Sequence, residues 1–203
     1  MIQGIDVSHH DGPIDWVQVK AAGIGFAFVK ATEGLDFVDS FEQTDFRAAM
    51  GQGLVVGLYH FFRPRLDPVK QANHFLSTFD PSHDQVMSCL DVEWCGNPNE
   101  WDGVTKNDAI ARVREYLDTI RFRTQRAPVL YYSPAFLREY LSGLPMDGVI
   151  RWVAQYGETA PGDYTFWQYS EKGTVPGLNP GSVDLDRFEG SLELLQALAG
   201  VRI

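Results

Sequence analysis

VMSCLDVE, residues 86–93, is a short apolar run that ends in two acidic residues. Runs of this length and character are typical of buried strands. Side chains two residues apart in a strand point to the same face, so Asp91 and Glu93 are expected to lie side by side. Such an ending is unusual, because a buried charge must be paired or neutralised. The run therefore predicts a core strand with a chemical site at its carboxyl end.

Similar short runs alternate with longer amphipathic stretches along the chain. Strands are predicted at 3–7, 25–30, 55–60, 86–93, 129–132, 150–155, 165–169 and 182–187. Helices are predicted at 15–22, 40–52, 68–78, 106–123, 134–141 and 191–198. This alternation predicts parallel strands covered by helices, and the last three strands have few helical residues between them. We expect an α/β fold, an irregular (β/α) barrel of about eight strands with few helices in its C-terminal part.

The length and charge of the chain limit the number of domains and the kinds of partner that it can have. A chain of 203 residues fits a single domain, 1–203, with one substantial core. A net charge of −10 argues against a nucleic-acid partner, whose phosphates need a basic surface, and against electrostatic attachment to membranes. No hydrophobic run approaches the ~18 residues of a membrane span, so membrane insertion is not expected. No signal peptide is predicted either, because no charged segment and apolar run open the sequence.

The cysteines and histidines suggest neither a disulfide nor a metal site. If the segment from Cys89 to Cys95 is a strand, it spans about 20 Å, which is too long for a disulfide, so both are predicted to be free thiols. The adjacent residues His9 and His10 lack the i, i+4 spacing of a helical zinc site. We therefore expect no metal and no cofactor.

Acidic residues at other strands extend the predicted site. Asp6 lies near the end of the first predicted strand, and Asp184 lies in the last one. Active sites of such barrels gather at the carboxyl ends of the strands. Neighbouring carboxyl groups cannot ionise independently, so one pKa is pushed up. One acid can then donate a proton while another stays anionic, and glycosidic cleavage needs that division.

A sugar site also needs flat stacking faces and hydrogen-bonding side chains. Tyr and Trp combine an apolar face with a polar tip, which suits sugar rings. For any single aromatic residue, the sequence leaves core packing and ligand contact equally open. The predicted substrate-binding residues, chosen because they fall at or near strand ends, are Tyr59, His60, Trp94, Tyr132, Tyr156 and Gln168.

Seven segments, in order and suitably spaced between Gly4 and Phe188, together resemble glycoside hydrolase family 25, a family of lysozymes. They are GIDVS (4–8) with IDW (14–16), FVKATEG (28–34), GLYHF (57–61), LDVE (90–93), WVAQY (152–156), WQYS (167–170) and VDLD (183–186). The resemblance implies a flattened eight-stranded barrel with few helices. It also implies muramidase activity, the hydrolysis of the β-1,4 bond between N-acetylmuramic acid and N-acetylglucosamine in bacterial peptidoglycan.

The resemblance also assigns roles to the acids. Glu93 would be the general acid, and Asp91 would orient the substrate's own 2-acetamido group, which attacks the anomeric carbon with net retention. Asp6 and Asp184 would be supporting carboxylates. The family often has Asn where Asp186 stands, so Asp186 is a departure that could add negative charge to the site and shift its pH optimum.

Other interpretations stay open at this point. The chain could be a non-catalytic peptidoglycan-binding module, or a chitinase-like N-acetylhexosaminidase, and Asp91 could act as a nucleophile or in an inverting reaction. A monomer acting on the glycan strands of the bacterial wall is expected. Without a signal peptide, it would reach the wall by phage-type release or by a non-classical secretion route.

Overall fold

The structure is a computed structural model that describes residues 1–40, 42–80, 85–179 and 183–200. In this part of the chain all strands belong to a single sheet. They are β1 (Ile2–Val7), β2 (Ile24–Glu33), β3 (Phe37–Val38), β4 (Val55–Phe61), β5 (Val86–Asp91), β6 (Val129–Tyr132), β7 (Ile150–Ala154), β8 (Phe166–Gly173) and β9 (Val183–Phe188). All eight predicted strands are present, and Ser182, predicted to begin the last one, lies outside the described residues.

Eight of these strands close into a barrel. The order is β1-β2-β4-β5-β6-β7-β8-β9, and β9 pairs with β1. The strands from β1 to β8 around this ring run parallel, whereas β9 is antiparallel to both of its neighbours. The predicted α/β barrel of about eight strands is confirmed. The sequence pattern did not predict β3, a two-residue strand that pairs only with β2.

Most helices lie between the strands from β1 to β7, and one further helix follows β9. They are α1 (Trp16–Ala21), α2 (Glu42–Gly51), α3 (Pro68–Leu76), α4 (Lys106–Thr124), α5 (Pro134–Phe136) and α6 (Leu192–Leu198), with a 3₁₀ turn at His9–Asp11 and a π-helical turn at Leu137–Leu141. Caps set several starts: the side chain of Thr105 accepts a hydrogen bond from the Asp108 backbone N–H, and Pro68 follows the capping Asp67. No helix of the described residues is long and apolar enough to cross a membrane.

The alternation of side chains along each strand creates two cores. The outward-facing residues pack against the helices, as Leu90 and Val92 do. The inward-facing residues fill the barrel with aromatic rings, and Trp152 stacks on Phe28 with ring centroids 4.0 Å apart. Leu195 of α6 belongs to this inner cluster. The interior of the barrel is therefore a packed core.

Cys89 and Cys95 are free thiols, as predicted. Cys89 lies on the inner face of β5, among the aromatic residues of the inner cluster. Burial raises the pKa of its thiol well above the usual value, so the group stays protonated and acts as a small apolar side chain.

Gly57 makes room for the inner aromatic cluster. A Cβ at this position would lie 2.3 Å from Cδ1 of Phe28, in the middle of the packed rings. Gly57→Ala is therefore expected to lower the free energy of unfolding by about 1–3 kcal/mol through overpacking. Gly162→Ala is the matched control, since a Cβ there meets nothing within 4 Å. Urea unfolding measures both, and equal stabilities would contradict the packing argument.

Candidate active site

The acidic residues meet at the mouth of the barrel, defined as the end where β1, β2 and β4–β8 finish. Asp6 is near the end of β1, Asp91 is the last residue of β5, and Glu93 follows two residues later. Because β9 runs in the opposite direction, its beginning reaches the same end, where Asp184 pairs with Asp6 across the ladder. The structure thus brings the four acids selected from the sequence to one end of the barrel.

Glu93 has the pKa expected of a proton donor. Burial raises its pKa to about 7, and the negative charge of Asp184 contributes to the rise, while Lys30 opposes it. Burial and Glu93 raise the pKa of Asp91 well above its usual value, and Lys30 again opposes the rise. Burial also raises the pKa of Asp184 to about 6. The site therefore holds several carboxyl groups that titrate far from their ordinary range.

Gln168 holds Asp6 in place. Its Nε2 donates to Asp6 Oδ2 at 2.8 Å, and its Oε1 accepts hydrogen bonds from the hydroxyls of Tyr131 at 2.9 Å and Tyr156 at 3.3 Å. Donors on one side and acceptors on the other fix the orientation of the amide. Gln168 is thus a buried side chain that positions Asp6.

Asp186 lies on the inner face beneath the mouth and is fully buried. The indole N–H of Trp152 donates to its Oδ1 at 2.7 Å, and its carboxyl group lies close enough to that of Asp6 for the two to interact electrostatically. Burial raises the pKa of Asp186 to about 7. Burial, together with the charges of Asp186 and Asp184, raises the pKa of Asp6. Asp186 therefore acts on the site through Asp6, whose ionisation its negative charge disfavours.

Lys30 is a site residue that the sequence analysis missed. It lies on the inner face of β2, two residues after Phe28, and it is 8% exposed. Its Nζ donates to Glu33 Oε2 at 2.7 Å, and Arg63 pairs with the other oxygen of Glu33. This cation lowers the pKa of both Asp91 and Glu93. The alternation from Phe28 was a signal that could have placed Lys30 inside the barrel.

Three of the predicted aromatic residues lie around the mouth. Tyr59 points inward from β4 and packs edge-on against Trp152, 6.3 Å between centroids. Tyr156 follows β7 and is 53% exposed, and Trp94 follows Glu93 directly and is 41% exposed. Trp94 also packs edge-on against Phe136. Exposed rings beside the carboxylates provide flat faces of the kind that sugars stack on.

The structure does not bring His60 and Tyr132 to the mouth, so both predictions need correction. His60 faces outward because its neighbour Tyr59 faces inward. It is fully buried and hydrogen-bonds Thr32 and Gln71 beneath α3. Burial lowers the pKa of His60 to about 3, so the ring stays neutral.

The prediction that Tyr132 lies at the mouth needs correction for the same reason. Tyr132 points outward from β6 into the outer core, where it is 3% exposed. Its neighbour Tyr131 points inward and donates to Gln168. The prediction was therefore one residue out of register, and a one-residue shift along a strand moves a side chain to the opposite face.

The chain is similar to known proteins in sequence and in fold. The family model for glycosyl hydrolases family 25 matches residues 5–178. Lysozyme M1 of Streptomyces globisporus is 33% identical over 98% of this chain and 71% of its own length, and YegX of Escherichia coli K12 is 34% identical over 97% and 72%. The crystal structure of the bacterial lysozyme from Streptomyces coelicolor superposes with a TM-score of 0.90 at 32% identity, covering 99% of this chain and 98% of that chain.

Proposed function

The chain belongs to glycosyl hydrolases family 25, and from this premise we propose that it cleaves the β-1,4 bond between N-acetylmuramic acid and N-acetylglucosamine with net retention. It is a glycoside hydrolase of the lysozyme type. We propose the bond and the stereochemistry together with catalytic roles for Glu93, Asp91, Asp6 and Asp184. We also propose that residues 1–203 are one catalytic domain, which acts as a monomer on the glycan strands of the bacterial wall.

The observation that carries the proposal is the position and titration of Glu93. Its carboxyl group lies at the barrel mouth and has a pKa of about 7, so a substantial fraction is protonated at neutral pH. Asp91 is on the same face two residues earlier, with Lys30 nearby to favour its ionised form. Glycosidic cleavage requires a proton donor beside a group that carries negative charge. When Glu93 is protonated, its charge no longer raises the pKa of Asp91, and the cation of Lys30 then favours the ionised form of Asp91.

In the proposed first step, Glu93 donates its proton to the glycosidic oxygen, and the bond from that oxygen to the anomeric carbon breaks. Asp91 accepts a hydrogen bond from the N–H of the 2-acetamido group, whose carbonyl oxygen attacks the anomeric carbon from the opposite side. In the second step Glu93 removes a proton from water, and the water oxygen displaces the acetamido oxygen. Two displacements at one carbon give net retention.

Two measurements test the bond and the stereochemistry. Mass spectrometry of digested peptidoglycan should find N-acetylmuramic acid at the new reducing ends, and N-acetylglucosamine there would contradict the proposed bond. NMR of the first sugar anomer formed should show retention. A chain that binds sacculi but releases no reducing ends would be a binding module, and preference for chitin oligomers would indicate a chitinase-like enzyme.

The neighbouring carboxyl groups of Asp6 and Asp186 lead to a prediction about pH dependence. In Asp186→Asn, the amide oxygen can still accept from Trp152, and the amide nitrogen can donate to Asp6. The charge that raises the pKa of Asp6 is removed, so the pKa of Asp6 falls. If Asp6 works as an anion, the acidic limb of the profile of kcat/KM moves to lower pH, by roughly half a unit or more.

The alkaline limb provides the internal control, since it reports deprotonation of Glu93, whose pKa is set by burial, by the charge of Asp184 and by Lys30. When kcat/KM is measured between about pH 4 and pH 9, only the acidic limb of the profile should differ between Asp186→Asn and the wild type. A shift confined to the alkaline limb, or an unchanged profile, would show that Asp186 does not act through Asp6.

A further inference from the structure

An open groove of about 590 Å³ lies on the outer flank of the barrel, beside the mouth. Tyr156 lines one part of the groove, and Tyr169 and Arg187 line another. The hydroxyl of Tyr156 also donates to Gln168, which donates to Asp6, so the groove begins close to the carboxylates. In the described chain no helix lies between β7 and β8 or between β8 and β9, so crossover helices do not cover this flank.

Arg187 offers an unused cation in this groove. The carbon of its guanidinium group lies 3.9 Å from the centroid of the Tyr169 ring and 5.4 Å from that of Trp167. Within residues 1–40, 42–80, 85–179 and 183–200, its buried Nε has no hydrogen-bond partner, and no carboxylate lies within ion-pair distance of the group. Stacking on Tyr169 holds the planar group in one orientation and leaves its edge able to bind an anion.

The other charges of the groove leave this cation uncompensated. Lys172 Nζ lies 3.8 Å from a carboxylate oxygen of Glu171, so these two charges offset one another. Glu158 also lines the groove, but it is exposed, and solvent screens its charge. Among the residues that the structure describes, Arg187 therefore has no acidic partner, although the chain carries a net charge of −10.

We propose that this groove is a subsite for the peptide that peptidoglycan carries on muramic acid, and that Arg187 pairs with a carboxylate of that peptide. The inference rests on the function proposed above, because only a peptidoglycan substrate brings such a peptide to the mouth. The lactyl group of muramic acid joins the peptide to the sugar, so a peptide leaving the mouth past Tyr156 enters the groove. A guanidinium binds a carboxylate through two parallel N–H donors, which gives geometric selectivity as well as attraction.

The test compares two substrates with the same glycan. One is soluble peptidoglycan that carries its peptides, and the other is the same glycan after an amidase has removed them. Arg187→Gln is expected to raise KM on the peptide-bearing glycan roughly threefold to tenfold, with kcat retained, and to leave the stripped glycan unaffected. Arg187→Lys should fall between, because it keeps the charge but loses the planar fork.

Arg114→Gln, on the exposed surface of α4, is the matched control and should leave KM unchanged on both the peptide-bearing and the stripped glycan. An equal rise in KM on both glycans, or no change on either, would overturn the proposal. If Arg187→Gln has a lower melting temperature than the wild type, a titration of the wild-type protein replaces it, with N-acetylmuramyl peptide and N-acetylmuramic acid as ligands. Equal affinities for the two ligands would overturn the proposal. Failure of the wild type to cleave either glycan would refute the proposed function instead, and the titration would still test the groove.

Discussion

Glu93→Gln will lower kcat on purified peptidoglycan by about 10²- to 10⁴-fold, which is the usual contribution of a general acid. Glutamine has nearly the same shape as glutamic acid, but its amide cannot deliver a proton to the glycosidic oxygen. The wild-type activity should also fall as the pH rises through about 7, because Glu93 then loses the proton that it donates. Release of reducing ends, followed across pH, measures both effects.

The fold provides the control for this variant. Glu93 is in an environment that raises its pKa, so the neutral amide removes a charge that the folded state disfavours. The melting temperature of Glu93→Gln should therefore not fall below that of the wild type. Glu115→Gln makes the same substitution on the exposed face of α4 and should leave kcat unchanged. Wild-type turnover by Glu93→Gln would remove this residue from the mechanism.

Asp91→Asn will lower kcat by about 10²- to 10³-fold, because an amide cannot stabilise the positive charge that develops on the attacking acetamido group. The same change is expected to stabilise the fold at neutral pH. Burial and Glu93 raise the pKa of Asp91, so its charged form destabilises the folded state. Losses of activity that accompany gains in stability are typical of active-site groups.

The sign of this stability effect can be checked against pH. A group with a raised pKa in the folded state contributes stability below its unfolded pKa, and this contribution is lost as the pH rises through the folded value. The variant should therefore gain most over the wild type near pH 8 and least below about pH 4. Urea unfolding at both pH values measures the difference, with Asp147→Asn on the exposed surface as the control. Loss of activity and of stability together would indicate a structural role for Asp91.

Local patterns in the sequence were enough to predict the barrel. Each predicted strand is a short run rich in apolar or aromatic residues, and helices α3 and α4 begin at the capping residues Asp67 and Thr105. These signals depend on neighbours a few residues away, so they can be detected without the fold. The same alternation predicted that Asp91 and Glu93 share a face, and the structure places them at the barrel mouth.

The two residues that were assigned to the wrong face, His60 and Tyr132, show what local sequence patterns do not predict. His60 and Tyr132 are late in their strands, as a site residue should be, but which face of a strand turns inward depends on how it pairs with its neighbours. Tyr131 and Lys30 turned inward instead. The sequence predicts how far along its strand a residue lies. Which residues face the interior follows only when one interior residue of the strand, such as Phe28, is known.

By itself, the sequence determined the order of strands and helices, and it placed acidic residues at the strand ends, because these features arise from interactions between near neighbours in the chain. Only the tertiary structure decided the pKa of Glu93. That value depends on burial by several strands and on the charge of Asp184, a residue far away in the sequence that the antiparallel β9 returns to the mouth. Electrostatic energies follow distance and solvent exposure in three dimensions, and neither is set until the barrel closes.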